Sequence, residues 1–500
     1  MNTRKSLLRT VSGLLALLMT GSALLACGSD ADTTKPTESD TADTAAVTEA
    51  VTEAGVEYVA DSLPDDLNFD GRQFTIYVAT FKEFFQGPEE STGDIVDDAV
   101  IDRNRAVEER LNIELEYFFD ENAQWNTIAG ILSKLIMAGD TTYDLYTGQQ
   151  YGITSLLANG GFVNVYDLEH LDFSKPWWNN RYMDELAIGH DTRFFLIGDY
   201  FISAFLNTHV VYFNKTLYGK LHEDPNELYN YVLDGTWTLD KMAQAAKDAY
   251  VDMNNDGQTD IGDQLGYVTY LPAASVDPFM YLSDIEFTPR DNEGYLTVNL
   301  LDERCVDLTA KIVEYFHQPG SLHQTEPGAA NASFVNGKAQ FLGINSISAA
   351  KSFRDMKDDF SFLPYPKLTE DQEHYNCVVA DIVAPGAVPG TSLNLDMAGA
   401  VIEALSSETY RTVLPTYYET ALKIKYSRDD LTSQIVDIIH EASYTDFLYA
   451  YSSSLGGIGV IMRDLVSKNS TDYMSMVSKK EKSTNKYLDK LITAFEEQNN

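Results

Sequence analysis

The chain has 500 residues, of which 76 are acidic and 36 are basic, and its formal net charge at pH 7 is −40. Hydrophobic residues make up 44% and aromatic residues 12%, which excludes a mostly disordered chain and allows a sizeable core. With such an acidic excess, we expect no positively charged surface that could bind nucleic-acid phosphates, and therefore no nucleic-acid partner. The excess also argues against adsorption to anionic lipid through a polybasic face.

Residues 1–26 have the pattern of an export signal. Three basic residues among the first nine precede a mostly apolar run over 11–26, and the segment contains no acidic residue. An ordinary membrane anchor is the alternative, and the end of the run argues against it. The run ends in Leu-Leu-Ala-Cys at 24–27, which resembles the lipobox of bacterial lipoproteins. We therefore expect cleavage before Cys27, acylation of that residue, and anchoring at the extracellular face of a bacterial cell membrane.

Residues 27–68 are predicted to form an acidic, disordered tether. The stretch 28–66 contains eleven acidic residues and one lysine, and it is rich in Thr and Ala. Self-repulsion and a shortage of apolar side chains favour an extended chain. A poorly packed extra module is the alternative interpretation. On the first interpretation, the folded part begins at residue 69.

The folded part starts with alternating strand and helix patterns. Residues 72–80 alternate as a strand does, 97–111 carry apolar side chains at helical spacing, and 113–119 return to period two. A helical pattern over 125–136 then leads to a strand-like stretch at 143–146. This order predicts a parallel, right-handed α/β sheet, with ligands binding beyond the carboxyl ends of its strands.

Later segments repeat the alternation with longer helices. Thr238 is a candidate N-cap for a helix over 239–249, because its hydroxyl can accept a free backbone N–H. A strand pattern over 339–346 precedes a helix predicted at 347–356, and the last clear helix is predicted at 487–497. These segments extend the α/β organisation to the C-terminal end of the chain.

Several short motifs together carry a family resemblance. They are Asp102-Arg103-Asn104, Leu157-Ala158-Asn159-Gly160-Gly161, Lys175-Pro176-Trp177-Trp178, Tyr212-Phe213-Asn214-Lys215, Trp237-Thr238-Leu239-Asp240 and Leu363-Pro364-Tyr365-Pro366-Lys367. With the N-terminal pattern, the chain from about residue 70 to residue 380 resembles the extracellular solute-binding proteins of bacterial ABC importers, family 1.

The resemblance implies a two-lobed, periplasmic-binding-protein-like α/β fold with hinge strands and a cleft between the lobes. It implies a first lobe over 69–206 and a second over 207–367, with 368–500 divided between them. It also implies that a monomer closes on a carbohydrate or similar polar solute and hands it to an ABC transporter permease, with no chemistry on the solute.

Sugars are commonly held by aromatic rings and by polar side chains that bond their hydroxyls. Four places in the chain offer such groups. They are the strand end at 146–147, the Pro-flanked loop before 178, the family's hinge segment at 207–208 and the strand end at 345–346. The candidate solute-binding residues are Tyr146, Thr147, Trp178, Asp199, Asn207, Thr208, Asn345 and Ser346. The alternative for each aromatic is core packing, and for Asp199 it is a turn.

An oxygen-rich loop over 252–263 fits the twelve-residue calcium pattern. Its oxygen donors at positions 1, 3, 5, 9 and 12 and the carbonyl at 7 predict a structural calcium site formed by Asp252, Asn254, Asp256, Gln258, Asp260 and Asp263. The loop departs from an EF-hand because position 12 is Asp rather than Glu, and because a strand pattern follows at 265–270. A solvated turn without metal is the alternative, since Asp, Asn and Gly also favour turns.

The sequence contains no complete motif for metalloprotease, nucleotide-phosphate or dinucleotide chemistry, so we expect no enzyme. Two alternatives stay open, a surface-anchored glycoside hydrolase and a non-catalytic surface adhesin. Among so many acidic residues, some pair of carboxylates falls within catalytic reach by chance. Besides Cys27, only Cys305 and Cys377 are present, and whether they pair is left open.

Overall fold

The computed structural model describes residues 59–270, 275–423 and 430–498. The signal segment, Cys27 and the predicted tether up to residue 58 lie outside the described residues. The strands are β1 (Arg72–Val78), β2 (Ile113–Phe119), β3 (Leu145–Thr147), β4 (His209–Asn214), β5 (Leu265–Tyr270), β6 (Ser321–Gln324), β7 (Ala339–Ser346), β8 (Phe360–Leu363), β9 (Cys377–Val378), β10 (Gly386–Ala387) and β11 (Ser443–Tyr444).

The α-helices of the described ranges differ widely in length, and several consist of a single turn. They are α1 (Lys82–Phe85), α2 (Ile95–Leu111), α3 (Ile128–Met137), α4 (Gln150–Ile153), α5 (Asn180–Leu186), α6 (Ser203–Leu206), α7 (Lys215–Leu221), α8 (Glu227–Leu233), α9 (Leu239–Ala249), α10 (Asp277–Met280), α11 (Arg304–His317), α12 (Pro327–Val335), α13 (Leu395–Glu408), α14 (Leu414–Lys423), α15 (Asp430–Ala442), α16 (Phe447–Ala450), α17 (Ile461–Ser467) and α18 (Tyr473–Gln498). None of the helices in the described ranges combines the length and apolar character needed to span a membrane.

The first sheet has the order β10-β3-β1-β2. Strand β1 pairs in parallel with both β2 and β3, and β10 joins antiparallel to β3 from far along the chain. The central strand β1 is buried from Phe74 to Val78, whereas the edge strand β2 exposes Phe118 and Phe119. The parallel core agrees with the α/β expectation, because crossover helices join its strands.

The second sheet has the order β6-β5-β7-β4-β8. Strand β5 is parallel to β6 and β7, while β4 runs antiparallel to β7 and β8. Every residue of β4 is buried, as expected for a strand covered on both faces. This sheet draws its strands from residues 209–363, so its part of the chain lies between β3 and β10 of the first sheet.

Two chain segments cross between the sheets and contact each other. The first enters β4 through Asn207 and Thr208, and the second runs back through β9 to β10. Thr208 forms an antiparallel bridge with Val379, and the Ala380 N–H donates to the Asn207 carbonyl at 3.1 Å. The paired crossings form a hinge, which gives the two-lobed α/β architecture that was predicted.

Local signals predicted several elements well. The predicted strands at 72–80, 113–119 and 265–270 are confirmed, as is the helix over 239–249. Thr238 caps that helix as predicted, since its side chain accepts the Lys241 N–H.

Three helix limits were wrong. Trp125 lies outside α3, because Thr127 closes a turn through the Gln124 N–H and the helix begins at Ile128. The helix predicted over 347–356 is a shorter 3₁₀ helix, Ile347–Phe353. The last helix begins at Tyr473 rather than near residue 487. Its middle part is polar, so the periodic apolar side chains that would predict a helix are missing there.

The end of the predicted tether is packed, so that boundary at residue 68 was wrong. Asp61 forms ion pairs with Arg110 at 2.7 Å and with Arg411 at 3.6 Å, and Leu63 is buried in the core. Burial by itself raises the pKa of Asp61, but the Arg110 guanidinium and the hydrogen bonds from Ser407 and the Leu63 N–H outweigh it and lower the pKa to about 2. Complementary charge therefore ties residues from 59 onward to the fold.

The two cysteines of the described chain, Cys305 and Cys377, are free and buried. Burial raises the pKa of the Cys305 thiol to about 11 and that of Cys377 to about 12. Both thiols are therefore protonated at neutral pH and behave as small apolar side chains.

Candidate functional site

A cavity of about 240 Å³ lies beside the hinge. One wall comes from the first sheet's side, where residues 176–181 and the turn 197–199 line it. Leu196, next to that turn, bridges to Gly386 of β10. The opposite wall is His440, Glu441 and Ser443, at the end of α15 and in β11, and α15 packs against α8 and β8 of the second sheet's side.

Two consecutive tryptophans form the firmest part of the first wall. The indole N–H of Trp177 donates to Glu403 Oε1 at 3.2 Å, and that of Trp178 donates to Oε2 at 3.1 Å. The Trp178 ring also packs edge-on against Phe173, with centroids 5.3 Å apart. Trp178 is thereby held in one orientation at the cavity wall.

Glycine at position 198 allows the backbone at Trp177 and Trp178 to pack closely against the turn 197–199. Trp178 and Gly198 form an antiparallel bridge, and a Cβ added to Gly198 would lie 2.4 Å from the Trp177 carbonyl oxygen and 2.9 Å from Trp178 Cε3. No real side chain fits at such distances, so this position needs glycine for close approach rather than for backbone freedom.

An acid–base pair spans the cavity. Asp199 Oδ1 lies 3.7 Å from His440 Nε2, which joins the first sheet's side to α15. Burial raises the pKa of Asp199, although the charge of His440 opposes this rise. Burial acts to lower the pKa of His440, but the neighbouring Asp199 carboxylate outweighs it and the pKa is raised. The second carboxylate oxygen of Asp199 is buried and accepts no hydrogen bond from the described residues.

Arg181 lies at the rim of the same cavity. Its guanidinium donates to Asn376 Oδ1 at 2.5 Å and stacks over the Tyr444 ring at 4.4 Å. It also lines two neighbouring cavities, so this one side chain borders all three.

The predicted hinge residues lie beside the cavity without lining it. The Thr208 hydroxyl is 2.9 Å from the hydroxyl of Ser443, which does line it, and Thr208 also donates to the Ala204 carbonyl at 3.1 Å. The Asn207 amide donates to the Ser203 carbonyl at 2.9 Å. Both side chains are buried and engaged in hinge contacts, and direct solute binding by them stays a prediction.

Of the other predicted solute residues, Tyr146, Thr147 and Ser346 do not line the cavity. Tyr146 and Thr147 are fully buried in β3, where the Tyr146 ring packs edge-on against Tyr77. Asn345 and Ser346 end β7, and the Ser346 hydroxyl is 3.1 Å from that of Ser348. The Asn345 side chain lies outside the described residues. Among the candidates whose side chains the structure describes, the cavity therefore brings together Trp178 and Asp199.

Sequence reasoning missed the partners of these two residues. The missed residues all lie in the last part of the chain, beyond the region that the family motifs cover. They are Glu403, His440, Glu441 and Ser443. Glu403 is separated from Trp178 by 225 positions, and no local pattern distinguishes it from other acidic residues. Only the tertiary contact reveals its role.

The predicted calcium loop lies between α9 and β5, as expected from the strand pattern. Gly257 at position 6 has φ 75°, a left-handed turn that glycine adopts at little cost. The carboxylates accept backbone N–H groups within the loop: Asp252 from Asn255 at 2.7 Å, and the buried Asp263 from Met253 at 3.0 Å.

Within the described residues, no three acidic, histidine or cysteine side chains stand close enough together to hold a metal ion. The present arrangement of the loop thus closes a turn through backbone hydrogen bonds. Calcium binding by this loop stays a prediction, and it requires the side chains to turn from these N–H groups toward a common centre.

No protein-family model matches the sequence, and no curated protein does either. Solved structures are similar in fold. An extracellular solute-binding protein from Staphylococcus aureus in complex with maltose is 11% identical, with a TM-score of 0.55 over 83% of this chain and 98% of that one. A cyclo/maltodextrin-binding protein complexed with maltotetraose is 12% identical, with a TM-score of 0.52 over 86% of this chain and 97% of that one.

An ABC transporter solute-binding protein from Thermotoga lettingae TMO, bound with α-D-tagatose, is 13% identical, with a TM-score of 0.50 over 84% of this chain and all (100%) of that one. At these identities the likeness shows the fold. The chain has the two-lobed α/β fold of the periplasmic binding proteins, which confirms the fold predicted from the sequence. One of these neighbours is described as an extracellular solute-binding protein and another as an ABC transporter solute-binding protein, the class of protein that the sequence motifs resemble.

Proposed function

We propose that this chain is an extracellular solute-binding protein of a bacterial ABC importer and that it holds a carbohydrate in the cavity beside the hinge. The observation that carries the proposal is the pairing, in one cavity beside the hinge, of a fixed aromatic ring with a buried free acceptor. Trp178 supplies the ring, and the unpartnered oxygen of Asp199 supplies the acceptor. A sugar offers an apolar C–H face to such a ring and a hydroxyl donor to such an oxygen.

The position of the cavity favours a receptor that closes on its solute. One wall lies on the first sheet's side, the other comes from α15 and β11, and the Asp199–His440 contact joins them across 3.7 Å. A solute that contacts both walls binds the closed state better than an open one, so it shifts the population toward closure. The proposed role needs no reaction of the solute.

The proposal includes anchoring of the mature chain through Cys27 and delivery of the solute to a permease. The Leu-Leu-Ala-Cys sequence at 24–27 supports the anchoring step. Expressed in a bacterial host, the wild-type chain should partition with membranes and carry label from a radioactive fatty acid. Cys27→Ser should lose both the label and the membrane partition. Label retained by the Cys27→Ser variant would refute this part alone.

The solute is tested by thermal unfolding of the mature chain in a panel of neutral mono- and oligosaccharides, with peptides and polyamines as comparison. A binder at a hundred times its Kd adds about 2.7 kcal/mol of stability, which a thermal scan detects. Trp178→Ala should abolish the shift, whereas Tyr487→Ala, which removes a 40% exposed ring outside the cavity, should leave it unchanged.

Three outcomes would contradict the proposal. Stabilisation by peptides or polyamines alone would reject carbohydrate as the solute. Product release from an oligosaccharide would instead support the glycoside hydrolase alternative, since Asp199 and Glu441 place two carboxyl groups on the lining. A panel without any shift would favour the adhesin.

A further inference from the structure

The shared carboxylate behind the two tryptophans is an unusual arrangement. Glu403 lies on α13 and is fully buried, and its oxygens accept three N–H groups: the indoles of Trp177 and Trp178 and, at 3.3 Å, the backbone of Asp172. All three partners are donors, so the ionised carboxylate satisfies them and a protonated one does not.

This carboxylate has no compensating cation among the described residues, where no Lys, Arg or His nitrogen lies within 4.0 Å of it. Burial raises the pKa of Glu403 to about 7, although the indole and backbone N–H groups oppose the rise. A buried charge without a cation is costly, and a neutral or apolar side chain would pack there more cheaply. Such a cost is typical of sites that serve a function.

The arrangement decides which part of Trp178 faces a solute. Its N–H is engaged by Glu403, which lies outside the cavity lining, and its ring is held between Phe173 and the bare backbone of Gly198. The ring therefore offers carbon atoms to the cavity and no donor. The free acceptor of Asp199 lies on the same wall, one residue after Gly198.

We infer that Glu403 is a positioning residue, which fixes Trp178 as an apolar wall so that the cavity selects ring-closed neutral sugars. The inference rests on the proposed function and deepens it. A pyranose has both the C–H face and the hydroxyl edge that this wall requires, whereas an open-chain polyol has the hydroxyls without the face. The panel sugar with the largest thermal shift should bind at least ten times more tightly than its open-chain alditol.

Glu403→Gln is the direct test, because glutamine keeps the size and turns one acceptor into a donor that opposes an N–H group. In the mature chain we expect it to weaken binding of the panel sugar at least tenfold. Glu314→Gln, at a 71% exposed carboxylate paired with Lys247, is the matched control and should leave affinity unchanged.

Trp178→Phe keeps an apolar ring and removes the N–H, so it distinguishes positioning from a general structural role. In the Trp178→Phe background, Glu403→Gln should change sugar affinity less than about threefold, because the hydrogen bond it disturbs is already gone. An equal loss in both backgrounds, or unchanged affinity in a folded Glu403→Gln protein, would overturn the inference.

An NMR measurement without solute keeps the result interpretable if either variant folds poorly. The chain has four tryptophans, so four indole N–H signals are expected, and those of Trp177 and Trp178 are assigned in the wild-type chain from through-space contacts to their ring neighbours Tyr410 and Phe173. In the wild-type chain, the signals of Trp177 and Trp178 should titrate together near the pKa of Glu403. Independent or absent titration would overturn the positioning role, whereas binding of no panel sugar by a wild-type chain that titrates as expected would reject the proposed function instead.

Discussion

Replacement of His440 by phenylalanine tests whether the pair across the cavity stabilises the closed arrangement. The variant keeps an aromatic ring, which in the wild type lies 5.2 Å from Phe205, and removes the only cation that faces Asp199 in the described structure. Asp199 then stays buried with neither oxygen paired to a positive charge. The titratable groups that face His440 are Asp199, Asp437, Glu441 and Tyr418.

The expected loss follows from the distance. At 3.7 Å and an effective dielectric constant of about 20, a unit ion pair is worth about 4–5 kcal/mol. The His440 side chain is 33% exposed, so water screens the pair and we expect about half of this value. His440→Phe should therefore lower the free energy of unfolding by about 2 kcal/mol where the pair is charged.

The pH dependence gives the sharper test. The folded pKa of His440 is raised above its unfolded value, so its contribution is complete below about pH 6.5 and is lost as the pH rises through the folded value. Urea unfolding followed by tryptophan fluorescence should show a difference between wild type and His440→Phe near pH 6 that nearly vanishes by pH 9. The difference in the free energy of unfolding between the two proteins is used because the titration of other groups, such as Glu403, contributes equally to both and cancels.

A difference that stays constant from pH 6 to pH 9 would refute the reasoning, because it would reflect ring packing alone. A larger difference at pH 9 would reverse the sign and mean that His440 is held neutral by burial.

Three further predictions concern other parts of the molecule. Calorimetry of chelator-treated protein should show heat of binding at millimolar calcium, and Asp256→Asn should abolish it, because the loop 252–263 depends on oxygen donors. Gly198→Ala should cost about 1–3 kcal/mol and weaken sugar binding, since the new Cβ meets backbone 2.4 Å away. Arg463→Met should cost about 3–5 kcal/mol, because it leaves Asp277, 1% exposed and bonded to Arg463 through both oxygens, without its cation.

Each of these predictions has a control or a contrary outcome. No calcium heat at millimolar concentration would leave the loop as a turn. Gly130→Ala, in α3 with nothing near its new Cβ, should be neutral or stabilising, and equal effects at both glycines would contradict the packing argument. Burial raises the pKa of Asp277 to about 6 against the opposing effect of Arg463, and removing Arg463 raises it further. The loss in Arg463→Met should therefore shrink as the pH falls toward 6 and stay small below it, where the carboxyl is protonated in both proteins.

The sequence by itself determined the elements whose causes are local. Two such causes act within a few residues, and both were predicted. One is the alternation that places Phe74 and Ile76 on strand β1, and the other is the Thr238 hydroxyl that caps α9. The same reasoning chose Trp178 and Asp199 among its candidates, on loop position and chemistry. The α/β class followed from the order of these elements, because consecutive strand–helix units leave few arrangements of a sheet, whereas the two-lobed arrangement was implied by the family resemblance.

Only the tertiary structure decided what surrounds those two residues. It placed β10 beside β3, brought Glu403 to Trp178 across 225 positions, and set His440 opposite Asp199. Such contacts depend on how whole elements pack, and packing depends on shape and burial summed over many residues rather than on any local pattern. The strong negative charge of the chain does not indicate that two of its acidic side chains lie buried around one cavity, since burial and partners, not residue type, decide what a carboxylate does.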